Sequence, residues 1–157
     1  MEINSTEYQC WHEVGHAIVC LHLNGGVEFI EFIEEDNHKG LARTRCNTNP
    51  EIRQYVACGG FATEFVLSRD GFLEPHDERE FTQIVFKNSS IDREMYFNVD
   101  EKYTFSEEED REFMNHAVSK VAPIVRQHIS KMQLIVGELL QERKIAGERI
   151  KELLNGT

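Results

Sequence analysis

From Trp11 to Leu21 the chain carries apolar side chains in almost every direction around a helix: Trp11, Val14, Ala17, Ile18, Val19, Cys20 and Leu21. A helix apolar on nearly all sides has to be enclosed by other elements. The segment therefore dictates a fold wrapped around an N-terminal helix. Its polar gap is mainly His12, Glu13 and His16. A carboxylate facing an interior without a partner is costly, and a cation beside it removes that cost. The same residues read His12-Glu13-Val14-Gly15-His16, an H-E-x-x-H motif. Positions i and i+4 lie one turn apart on the same helix face, so both imidazoles can aim at one ion at about 2.0–2.1 Å, the length of a Zn–N bond. Glu13 lies beside that face and can reach a water on the ion without replacing it. Such an ion brings the pKa of its water down to about 7. Glu13 is then the general base for attack on a peptide carbonyl, and it can hand the proton on to the leaving amine.

The rest of the chain reads as helices around a small sheet. The first helix is expected from about Ser5 to Asn24, ended by Gly25-Gly26. Val27 to Ile33 reads as a strand, 36–40 as a turn, and Leu41 to Cys46 as a more polar edge strand. Asn49-Pro50 opens a helix whose apolar face runs from Ile52 to Val66. A third helix starts near Pro75 to Asp77 and covers Phe81 to Phe86. Residues 88–103 read as a loop. Ser106 to Glu109 forms a capping box, long helical patterns follow to Arg143 with Pro123 marking a kink or a start, and Gly147 to Leu154 is a short last helix. The expected fold is mostly α, with one small two- or three-stranded sheet. It is a single domain over 1–157, with the motif helix and sheet in about 1–87 and a helical part in about 104–157.

Composition narrows the partners. A net charge of -11 repels phosphate backbones and argues against nucleic acid. No apolar stretch approaches the roughly 20 residues of a membrane span. Cys10, Cys20, Cys46 and Cys58 lack C-x-x-C spacing. With no secretion signal in view, a reducing, cytoplasmic location is expected. His22, His38, His116 and His128 show no ligand spacing to one another.

A catalytic zinc needs a third protein ligand and an open position. Glu64, Glu74, His76 and Asp77 are the local candidates, and pattern alone does not choose among them. Here a resemblance enters. His12-Glu13-Val14-Gly15-His16-Ala17-Ile18-Val19 resembles the HEAGHA-type helix of the FtsH family of zinc metalloproteases, and Gly59-Gly60-Phe61-Ala62-Thr63-Glu64 resembles that family's GGRAAEE segment. Asp77 followed by Thr82 is similar to its D-x-x-x-x-T element, and the ending from Leu139 to Leu154 to its closing helices. The resemblance implies Asp77 as third zinc ligand, with Glu64 in a packing or outer-shell role and Glu64 or His76 as the alternative ligand. It also implies substrate binding by strand addition along Gly40, Leu41, Ala42, Arg43 and Thr44. The resemblance covers the peptidase domain only. No G-x-x-x-x-G-K-[ST] segment occurs, so no ATP site is expected in this chain. Self-association or a separate ATPase enters as an expected partner beside a polypeptide substrate. The expected function is a zinc metalloendopeptidase with one Zn2+ per chain. The competing expectation is a non-catalytic adaptor or regulator that binds polypeptides on a peptidase-like fold.

Overall fold

The computed structural model describes residues 1–33 and 41–156, with the Leu41 side chain left aside. The turn expected at 36–40, and Gly40 with it, lies outside the described residues. The chain is mostly helical around one three-stranded antiparallel sheet.

Helix α1 spans Thr6–His22 and is capped by Ser5, whose hydroxyl accepts from the Tyr8 N–H at 3.2 Å. It ends two residues earlier than expected. Asn24 takes the left-handed conformation that closes the turn, at φ 65°, a role its short amide allows. Trp11, Val14, Ile18 and Val19 are all enclosed, as the apolar pattern demanded.

Strand β1 (Gly26–Ile33) lies between β2 (Leu41–Asn47) and β3 (Lys144–Ala146), both antiparallel to it. β2 is therefore an edge, as its mixed polarity suggested. β3 is only three residues long, too short to leave an alternating pattern. Ile145 nevertheless pairs with the buried Ile30 and is itself enclosed.

The helix expected beyond Asn49 is two helices, α2 (Arg53–Ala57) and α3 (Gly59–Arg69), broken at Cys58. The Asn49 amide still accepts from the Ile52 N–H at 3.1 Å, just ahead of α2. The break lets α3 press on α1 backbone to backbone. A Cβ on Gly15 would lie 2.1 Å from Thr63 Oγ1, and one on Gly59 would lie 2.8 Å from the Gly15 carbonyl oxygen. Only glycine permits that approach.

Helix α4 covers Glu78–Asn88. The loop expected over 88–103 is instead helical across α5, Ser90–Phe97, and this is the main correction to the fold. Burial decides it: Tyr96 is enclosed against Phe113 and His116, which no local preference announces. α6 (Glu107–His116) carries the expected Ser106–Glu109 capping box. A π-helical turn at Ala117–Val121 leads into α7 (Ala122–Glu142), with Pro123 in its first turn, where the missing N–H costs nothing. α8 spans Gly147–Asn155. Among the described residues, no helix is long and apolar enough to cross a membrane.

Candidate metal centre

Helix α1 brings His12 and His16 onto one side, each about one-tenth exposed. Their Nε2 atoms are 3.2 Å apart. Facing them is Asp92 of α5, with Oδ2 at 3.0 Å from His12 Nε2 and Oδ1 at 3.2 Å from His16 Nε2. Among the described residues, His12, His16 and Asp92 form a group that could offer three ligand atoms to one ion. Four ligands around zinc at about 2.0–2.1 Å lie about 3.3 Å from one another. The two Nε2 atoms, 3.2 Å apart, match that spacing, and the Asp92 carboxylate turns a different oxygen to each of them.

The far sides of both rings are fixed. His16 Nδ1 lies 2.7 Å from the Val56 carbonyl oxygen. A carbonyl only accepts, so His16 carries a proton on Nδ1 and turns Nε2 toward Asp92. His12 Nδ1 lies 2.7 Å from Glu64 Oε2, and the Asn88 side-chain amide donates to Glu64 Oε1 at 2.8 Å. Glu64 is wholly buried. This carboxylate orients the ring and holds the tautomer that a metal-ligating histidine needs. Two ring lone pairs and a carboxylate aimed at one point repel each other unless a cation or a proton lies between them. Burial opposes charge on both imidazoles, yet hydrogen bonds and charge from Asp92, with Glu64 on His12, outweigh it and raise both pKa values. Burial likewise opposes charge on Asp92, but the two imidazoles hold its carboxyl well below the usual range.

The expected third ligand is elsewhere. Asp77 is exposed and caps α4, its Oδ1 accepting from the Glu80 N–H at 2.9 Å. Its D-x-x-x-x-T spacing serves that helix start: Thr82 donates back to the Glu78 carbonyl at 2.9 Å. His76 is engaged locally as well, with Ser68 at 3.0 Å and the Glu74 carbonyl at 2.8 Å. Asp92 was missed because the sequence around it reads as loop. A cue exists in retrospect, since Ser89 and Asp92 have the spacing of an N-cap and an acidic third position. The Asp92 side chain goes to the histidines instead of back to Ser89. The Ser89 N–H is already taken by the carbonyls of Val85 and Phe86.

Glu13 lies beside the imidazoles, and its Oε2 accepts from Thr44 Oγ1 at 2.8 Å. Thr44 Oγ1 is also 2.7 Å from the Glu13 carbonyl oxygen. Thr44, expected along the substrate strand, thus holds the expected general base. A cleft of about 490 Å³ runs past His12, Glu13, His16 and Asp92, bounded by Ala42, Arg43 and Thr44 of β2 on one side and by Ile91 and Met95 of α5 on the other. A second cavity of about 280 Å³ shares His12, Glu13, Ala42 and Asn88 with this cleft and is lined further by Tyr8 and Gln9. Comparison with known protein families gives no matching family model, and comparison with curated proteins gives no match.

Proposed function

We propose that this protein is a zinc metallopeptidase that hydrolyses peptide bonds in peptides or unfolded polypeptides. The observation that carries the reading is the convergence of His12 Nε2, His16 Nε2 and the Asp92 carboxylate within 4.8 Å of one another, beside Glu13. Two imidazoles and one carboxylate, with a position left for water, make the donor set of a hydrolytic zinc site. Zinc, when bound, supplies Lewis acidity toward the carbonyl and a more acidic water. The chain's own residues do the rest. Glu13, aimed by Thr44, accepts the proton of the attacking water and returns it to the leaving amine. Glu64 and Val56 keep both rings in the tautomer that leaves Nε2 free. The β2 edge can pair with an extended polypeptide through backbone groups alone, which suits broad specificity. The resemblance to the FtsH peptidase domain belongs to this proposal, as does a separate ATPase or self-association for folded substrates.

The test is hydrolysis of casein by the zinc-loaded protein. Glu13→Gln is expected to retain zinc and to lose about 10²–10⁴-fold in turnover. Equal rates in both proteins would refute the reading. Stable peptide binding with no cleavage by the wild type would favour the adaptor instead.

A further inference from the structure

His22 and His128 are 106 residues apart and have no ligand spacing in the sequence. The fold nevertheless sets them against each other, one at the end of α1 and the other on α7. His22 Nδ1 lies 2.9 Å from His128 Nε2, and the ring centroids are 5.1 Å apart with the planes at 70°. With no cation present, one of these nitrogens must donate a hydrogen to the other. Each neutral ring can instead carry its single proton on the remaining nitrogen, His22 Nε2 or His128 Nδ1, so that two lone pairs turn to one point. Two nitrogens held at about 2.0–2.1 Å from an ion, at right angles, lie about 2.9 Å apart. That is the spacing of neighbouring ligands in a square-planar or tetragonal site, the geometry of Cu2+ and Ni2+.

We propose that His22 and His128 form a second metal site, which takes one divalent ion of the nickel or copper class and clamps α1 to α7. The surroundings suit a cation. His22 lies in the last turn of α1, where the unpaired carbonyls give the helix end a partial negative charge. His128 lies past the first turn of α7, beyond the reach of that helix's positive end. Partial burial holds the pKa of His128 below its ordinary value, which favours the neutral imidazole that ligates. His22 is exposed and His128 half-buried, so water completes the coordination. The site shares no residue with the His12, His16 and Asp92 centre. An unfolded chain separates the two rings, so the ion binds the folded state and stabilises it.

The experiment dialyses the untagged full chain against excess Ni2+ at neutral pH and counts bound nickel by elemental analysis. Wild type is expected to hold one more Ni2+ per chain than His22→Gln and one more than His128→Gln. Each variant is also expected to lose part of the rise in Tm that Ni2+ gives the wild type. Binding at other side chains is common to the three proteins and cancels in the comparison. An equal nickel count in all three, or a loss in one variant alone, would overturn the proposal. All three proteins keep His12, Glu13, His16 and Asp92, so the result stands or falls separately from the peptidase reading.

Discussion

Asp92 and Asp77 are both single aspartates near the start of short helices, yet they have opposite surroundings. Asp92 faces two imidazoles at 3.0 and 3.2 Å, whereas Asp77 faces the open N-terminus of α4. The difference predicts opposite outcomes on mutation. Asp92→Asn should weaken zinc binding by more than the roughly 10–100-fold that loss of an outer partner costs, as read by calorimetric titration. Asp77→Ala should leave zinc affinity unchanged and cost about 1 kcal/mol of stability in a denaturant melt, the usual loss for an N-cap. The reverse pattern would make Asp77 the ligand after all. Glu64 has no such ambiguity, because it is buried with one oxygen on His12 and the other on Asn88.

At the scale of elements, the centre depends on how closely α3 approaches α1. A Cβ on Gly60 would lie 2.3 Å from His12 Nε2, so the ring has no room for a larger residue behind it. Gly60→Ala is expected to cost about 1–3 kcal/mol by overpacking and to weaken zinc binding as His12 moves. Gly137→Ala is the control. That glycine is exposed in α7 with nothing within 4 Å of a new Cβ, and the change should add up to about 1 kcal/mol. Chemical denaturation of both variants, with zinc titration of the first, checks the pair. In retrospect the close packing is legible in Gly59-Gly60. The break at Cys58 that it requires is not, because Ile52 to Val66 keeps helical spacing straight through it. α5 was hidden for the complementary reason: its apolar contacts are with distant elements, so no local periodicity marks it.

Across the whole molecule, α1 is also tied to α7 through His22 and His128, whose ring nitrogens are 2.9 Å apart. Partial burial, and then the neighbouring His22, lower the pKa of His128. The sign follows directly. A histidine whose folded pKa is below its unfolded value of about 6.5 binds fewer protons when folded, so stability falls as pH drops below that value. His12 and His16, whose pKa values are raised, act in the opposite direction, so the His128 share of the acid loss is read as the difference between wild-type and His128→Gln melting curves from about pH 8 to 5. The substitution should remove that share, and an unchanged slope would exclude the pair as its source.

The sequence by itself determined the features whose causes are local. The spacing of His12 and His16 puts both rings on one helix face, the apolar surround of α1 forces its burial, and Ser106 with Glu109 fixes where α6 begins. Only the tertiary structure decided which carboxylate meets the histidines. Asp92 is 80 residues from His12, and nothing near it distinguishes it from a loop acid. Its position follows from the packing of α5 over the cleft, which is settled by contacts among side chains far apart in the chain.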